Sequence, residues 1–204
     1  MTVRHLVIFD RQHYGKPGRQ DLGAVADLDG DGLREAHEAE ANLTPSYIAA
    51  AAEALNAAGI DTLVIEAGSY ADRHRQANAV ARARPRSSVV YVACHLNAGG
   101  GSHGLVVHDP RSAGGKALAV AVADGLKAGL PELRSVKAAS WEQGYPRAKG
   151  TIEGIYAGPG NISGVCFEPF FVDNPSVAAA LATPEGLARV GRALADGVRK
   201  HLKV

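Results

Sequence analysis

The 204-residue sequence has little cysteine, almost no net charge and no long apolar run. Its two cysteines, Cys94 and Cys166, are too few for a disulfide framework. A formal net charge of +1, from 22 Lys and Arg against 21 Asp and Glu, excludes a dominating attraction to nucleic acid or anionic lipid. No stretch approaches the roughly 20 apolar residues of a membrane span. The opening MTVRHLVIFD is charged, and its apolar run has the length of a strand rather than of a signal-peptide core. The expectation is a chain made in the cytoplasm without a signal peptide, with no membrane insertion and no nucleic-acid partner. No repeat or linker divides it, and its length fits one domain, residues 1–204, with a core able to fold without staples.

Short β-branched runs signal strands at residues 5–9, 62–65, 88–93, 105–108 and 164–167. Most are continuous apolar stretches, as expected for strands covered on both faces. Helical patterns lie between them at 45–58, 72–84, 115–129 and 185–202. The first has Thr44 as N-cap, Pro45 at its first helical position and a stop at Gly59. The second ends before Pro85. This alternation predicts an α/β fold of three layers: a twisted, mixed but mostly parallel sheet of about six strands with helices on both faces. The short interval between 88–93 and 105–108 predicts a loop or hairpin. Segments 10–43 and 131–163 carry no regular signal. Long loops in a compact α/β domain are usually functional, and ligands gather at the carboxyl ends of strands.

Three strands run into residues with chemistry: Asp10-Arg11-Gln12-His13, Cys94-His95-Leu96-Asn97 and Phe167-Glu168-Pro169. If these strands are parallel neighbours, two imidazoles and a carboxylate converge at one rim. Two neutral imidazoles and a carboxylate hold a catalytic zinc and leave its fourth position open for water. A second carboxylate, not a ligand, can then act as base. His5, His74, His108 and His201 have no comparable context and are expected to be structural or exposed, whereas His103 could line the site. Cys94 and Cys166 flank the site and fit small buried strand positions; neither sits at the helix N-terminus or nucleophile elbow that a cysteine hydrolase uses. Gly99-Gly100-Gly101 has no helix start directly behind it, so it fits a flexible loop better than a phosphate cradle. Asn97, Trp141, Tyr145 and Arg147 are candidates to orient or line a substrate groove.

Four segments carry a resemblance. They are Ile8-Phe9-Asp10-Arg11-Gln12-His13 with Asp21-Leu22-Gly23-Ala24; Arg75-Gln76-Ala77-Asn78; Cys94-His95-Leu96-Asn97-Ala98; and Val165 to Asn174, which contains Glu168-Pro169-Phe170-Phe171-Val172-Asp173-Asn174. In order and content they resemble the motifs of the zinc-dependent N-acetylmuramoyl-L-alanine amidases (type 3), the last in the form seen in phage endolysins. Arg11-Gln12 stands where that family has Pro-Gly, a departure that bears on turn geometry. The resemblance implies one catalytic amidase domain without a separate wall-binding module. It implies His13 and His95 as zinc ligands, Glu168 as catalytic base, and a ligand glutamate among Glu35, Glu38 and Glu40. Counting back from Leu55-Asn56-Ala57-Ala58-Gly59 puts Glu40 first and Glu38 second.

Residues 27–38 fit the D-x-[DN]-x-[DN]-G-x5-E calcium loop, with Asp27, Asp29, Asp31 and Glu38 at its ligand positions and Gly32 at its turn. Arg34 replaces the aliphatic residue of a paired EF-hand, which favours a lone inserted loop. On this basis Glu38 closes the calcium loop while Glu40, about 200° away on a helix, faces zinc.

The expected activity, by resemblance, is hydrolysis of peptidoglycan at the amide between the lactyl group of N-acetylmuramic acid and L-Ala, by a phage or prophage lysin. It would reach the wall through a holin or on a particle. A zinc carboxypeptidase or other peptide amidase, and a non-catalytic metal-stabilised wall-binding or particle protein, are the alternatives.

Overall fold

Period-two alternation in the strands gives the sheet two apolar faces. In β1 (Leu6–Arg11), Leu6 and Ile8 enter one core and Val7 and Phe9 the other, all four buried. The computed structural model describes residues 5–15 and 21–204. Residues 1–4 of the opening and 16–20 of the long segment after β1 lie outside the described residues. The other elements are α1 (Glu40–Ala57), β2 (Asp61–Ile65), α2 (Tyr70–Arg82), β3 (Val89–Cys94), β4 (His103–His108), α3 (Ala113–Gly129), β5 (Ser135–Ser140), α4 (Lys149–Tyr156), β6 (Ile162–Glu168), α5 (Pro175–Leu181) and α6 (Pro184–Leu202).

The strands lie in the order β2-β1-β3-β6-β4-β5. All neighbours are parallel except β4 and β6. Helices α1, α3, α5 and α6 supply the core on one face, with Tyr47, Leu118, Leu181 and Leu194. Helices α2 and α4 cover the other, with Ala77, Ala81, Ile152 and Ile155. This is the expected three-layer, mostly parallel α/β fold. Among the described residues no helix is long and apolar enough to cross a membrane.

Of the loop or hairpin expected between β3 and β4, the structure has the loop: β6 lies between the two strands and pairs antiparallel with β4, which makes the sheet mixed. Residues 95–102 cross the end of β6, with the Asn97 N–H donating to the Phe170 carbonyl at 2.9 Å. Three other sequence expectations are corrected. Segment 131–163 is not irregular but holds β5 and α4. The sequence SVKAAS has a single β-branched apolar residue, and KGTIEGIY carries two glycines, so neither gives a strong signal. The outer helices begin earlier than predicted, α2 at Tyr70 behind Ser69 and α3 at Ala113 behind Ser112, each capped by the serine hydroxyl.

Helix α1 begins at Glu40, so Thr44 is not its N-cap and Pro45 sits inside it. The early start is possible because the backbone of residues 22–24 receives the first free N–H groups. Glu40 N–H donates to Ala24 O at 2.8 Å and Ala41 N–H to Leu22 O at 3.1 Å.

Helix α6 crosses α1 and α3 at glycines. A Cβ on Gly191 would come within 2.3 Å of the Tyr47 carbonyl oxygen. Gly191→Ala is therefore expected to destabilise the protein by about 1–3 kcal/mol through overpacking, measured by equilibrium urea unfolding. An unchanged midpoint would show that this crossing can relax.

Candidate metal centre and cleft

Because β1, β3 and β6 are adjacent and parallel, their carboxyl ends open onto one rim. The chain leaves β1 for β2 on one side, while β3 lies on the other, which makes the β1/β3 crevice a topological switch point. His13 lies two residues beyond β1, His95 directly follows β3, and Glu168 ends β6.

The structure brings His13, Glu40 and His95 together. One potential ligand atom from each lies within 4.8 Å of the others. His13 Nε2 is 3.2 Å from His95 Nδ1. Glu40 Oε1 is 2.8 Å from His95 Nδ1 and 3.4 Å from His13 Nε2. Two imidazole nitrogens and an anionic oxygen aimed at one another repel unless a proton or cation lies between them. The donor set therefore suits a divalent ion such as zinc.

Each donor is fixed by neighbours. His13 Nδ1 meets Asp21 Oδ1 at 2.9 Å, which orients the ring and leaves the Nε2 lone pair for the shared centre. His13 has φ +61°, a conformation tolerated by histidine but unusual for a residue with a Cβ. Gly23 has φ +70°, and a Cβ there would lie 2.4 Å from Glu40 Oε2. Glu40 Oε1 accepts from Leu96 N–H and Oε2 from Ala24 N–H, both at 2.9 Å. Tyr47, two turns along α1, donates its hydroxyl to His95 O at 3.1 Å. Burial alone would raise the Glu40 carboxyl pKa. The hydrogen bond and charge of His95, the charge of His13 and the Ala24 N–H outweigh it and hold the carboxyl below its ordinary value. Burial correspondingly opposes protonation of His95, but Glu40 wins and raises its pKa.

Glu38 goes elsewhere. A 3-10 turn over Ala36–Glu38 ends at Ala39, whose ψ of 146° is extended, and α1 starts only after it. The two glutamates therefore diverge across the extended Ala39 rather than on opposite faces of one helix. Glu38 is buried, and the Glu35 N–H, with those of Leu28 and Asp29, holds its carboxyl below the ordinary value. Asp27, Asp29 and Asp31 offer oxygens within 4.8 Å of one another, and Asp29 also lies that close to Glu38 and His37. Glu35 is exposed and faces His37, 3.6 Å away.

Glu168 is half-buried, and its Oε2 accepts from Asn97 Nδ2 at 2.8 Å. Burial raises its carboxyl pKa, and Glu40 adds to the shift while His95 opposes it. A cleft of ≈ 500 Å³ opens beside it, lined by Asn97, His103, Tyr145, Arg147, Glu168 and Phe171. Trp141 is buried under Arg111 instead, with the guanidinium carbon 5.5 Å from its ring. His74 and His108 are buried and bonded to backbone carbonyls. Cys94 and Cys166 are buried in opposite cores. The glycine loop is tethered, since Asp173 accepts from Gly99 and Gly100 N–H at 2.7 and 3.0 Å.

The sequence reading missed the buried platform under this site. By alternation Asp10 lies on the α2 side of β1, where Arg73, Tyr91 and Gln12 all hydrogen-bond its carboxylate. All four residues are fully buried. Arg73 also donates to the carbonyls of Gly68 at 2.7 Å, Arg11 at 2.8 Å and Tyr14, and so clasps the turn that carries His13. Arg75, the arginine quoted from the motif, is exposed and pairs with Asp72. The available signal was helical spacing, because Arg73 shares a line at i, i+4 and i+8 with buried Ala77 and Ala81.

The family model for N-acetylmuramoyl-L-alanine amidase matches residues 7–200. No curated protein matches in sequence. Among solved structures, Cwp6 from Clostridium difficile superposes with a TM-score of 0.71 at 19% identity, over 98% of this chain and 30% of that one. The N-acetylmuramoyl-L-alanine amidase AmiC2 of Nostoc punctiforme gives 0.73 at 16% identity over 100% of both chains. The catalytic domain of CwlV, an N-acetylmuramoyl-L-alanine amidase from Bacillus (Paenibacillus) polymyxa var. colistinus, gives 0.69 at 18% identity, over 98% of this chain and 99% of that one. At these identities the likeness is one of fold.

Arg73→Met leaves the Asp10 carboxylate buried without its cation, and is expected to cost about 3–5 kcal/mol. Arg75→Met, at an exposed pair, should stay within about 0.5 kcal/mol of wild type. Urea unfolding of both variants checks the contrast, and equal losses would remove Arg73 from this role.

Proposed function

The chain belongs to the N-acetylmuramoyl-L-alanine amidase family, and on that footing we propose that it is a zinc-dependent peptidoglycan hydrolase. It cleaves the amide between the lactyl group of N-acetylmuramic acid and L-alanine of the stem peptide. One juxtaposition carries the proposal: His13 Nε2, His95 Nδ1 and Glu40 Oε1 converge on the rim where Glu168 ends the neighbouring strand β6. The Glu168-Pro169-Phe170-Phe171-Val172-Asp173-Asn174 segment supports a lytic role of the phage or prophage kind. Such an enzyme meets the wall after holin release or as part of a particle.

His13, Glu40 and His95 hold the zinc in this proposal. When bound, the ion supplies Lewis acidity, lowering the pKa of water to about 7 and polarising a carbonyl. Glu168 takes the proton of the attacking water and returns it to the departing amine nitrogen as the C–N bond breaks. The raised proton affinity that burial gives Glu168 suits both transfers. Asn97 holds Glu168 Oε2, so the proton moves through Oε1, which the Cys166 thiol meets at 3.8 Å. The cleft takes the stem peptide, with Tyr145 and Phe171 as apolar walls and Arg147 as a cation for its carboxylates.

Calcium is the second metal of the proposal, bound by Asp27, Asp29 and Asp31 with Glu38 closing the loop. The convergence of the three aspartates and the approach of Glu38 to Asp29 support it. The ion would stiffen the segment that leads into Glu40.

Glu168→Gln should lower the rate of wall lysis by about 10²–10⁴-fold while the purified protein retains its zinc. His13→Ala should lose zinc as well as activity. Turbidity assays, element analysis and product analysis for new N-terminal alanine decide this. Lysis by Glu168→Gln at the wild-type rate would eliminate the proposed base. Separately, removing Ca²⁺ while Zn²⁺ is kept should lower melting temperature or activity, and no change in either would refute the calcium assignment.

A further inference from the structure

Proline inside a helix leaves the carbonyl four residues earlier without its donor. In α1 the proline is Pro45 and the carbonyl belongs to Ala41, next to Glu40. That oxygen is not left bare, because Arg11 Nη2 donates to it at 3.0 Å. Arg11 is the last residue of β1, two before His13. Its side chain is only 15% exposed. The guanidinium lies over Tyr14, with Cζ 3.7 Å from the ring centroid, and faces Glu66 Oε1 at 3.9 Å. Its own carbonyl is gripped by Arg73.

We propose that Arg11 is a positioning residue: its guanidinium replaces the N–H that Pro45 lacks, and so fixes the His13 turn against the start of the helix that carries Glu40. The strut joins the two segments on either side of the His13–Glu40 gap. A normal helix would satisfy Ala41 internally, and this carbonyl would then make no bond to β1. The proline makes the carbonyl available to a donor from outside, and a charged donor makes a stronger bond than the amide it replaces. Arg11 and Pro45 therefore act as a pair, and each has its effect through the other. This rests on the zinc assignment above only for its metal readout.

The test is a double-mutant cycle with Arg11→Met, which keeps the apolar stem and removes the donors, and Pro45→Ala, which restores the backbone donor. Zinc affinity is measured by competition with a chromophoric chelator, and the stability of the metal-free protein by urea unfolding. Arg11→Met alone should weaken zinc binding by about 10–100-fold, as expected for loss of a group that orients a ligand. In the Pro45→Ala background the same change should cost several-fold less, and Arg11→Lys should restore part of the loss. Equal losses in both backgrounds, or unchanged zinc affinity in Arg11→Met, would overturn the proposal. If wild-type protein binds no zinc, the metal assignment fails, and the unfolding cycle still decides the coupling: additive stability losses would then sink it. Should Arg11→Met not fold, Arg11→Lys and Arg11→Gln run through the same cycle.

Discussion

A carboxylate buried where a helix begins and a strand ends is the constraint from which the rest of the rim follows. Glu40 is 2% exposed and could not remain ionised there unaided. It is compensated from three directions: the Ala24 and Leu96 amides, the two imidazoles, and its place in the first turn of an 18-residue helix, where the peptide dipoles favour negative charge. The compensating groups come from separate segments, with His95 and Leu96 sharing the end of β3. Satisfying one side chain therefore draws the 22–24 segment, the β1 turn, the end of β3 and the start of α1 to one point.

A second buried charge supports the first from below. Asp10 and Arg73 are both fully buried, and Arg73 uses its remaining donors on carbonyls at either side of the His13 turn. A fixed, planar set of donors is well suited to holding several carbonyls at once. The left-handed backbone of His13 is tolerable in this setting because the residues flanking it are held by more bonds than the turn alone could make. The region thus has a polar base with little freedom, below a rim where chemistry needs side chains held to fractions of an ångström.

The cleft beside Glu168 depends on a different part of the chain. Its walls come from the 95–102 crossing and from the turns after β5, and the crossing is tethered to the segment after β6 by Asp173 and Asn174. Gly101 permits this approach, since a Cβ there would lie 2.7 Å from the Phe171 ring. The proposed base and the proposed groove are therefore built by the same antiparallel insertion of β6 that the short β3–β4 interval failed to reveal.

The sequence by itself determined the layers. Apolar runs of strand length and capped helical stretches are local signals, and they sufficed for a mostly parallel sheet covered on both faces. They also put His13, His95 and Glu168 at strand ends, where a parallel sheet collects them. Tertiary structure decided what depends on partners distant in sequence. Thr44-Pro45 has the local chemistry of a helix start, yet α1 begins at Glu40 because residues 22–24 accept its first amides. Counting along the sequence already ranks Glu40 ahead of Glu38 beside the histidines, but by opposite faces of one helix; in the structure the extended Ala39 between them sends one to the acidic loop and the other to the histidines. Arg73 and Arg75 are distinguished only by which faces the sheet. A local pattern records which residues want burial or a cap, but the energy of a buried charge is set by what surrounds it, and those neighbours are chosen only when the chain closes on itself.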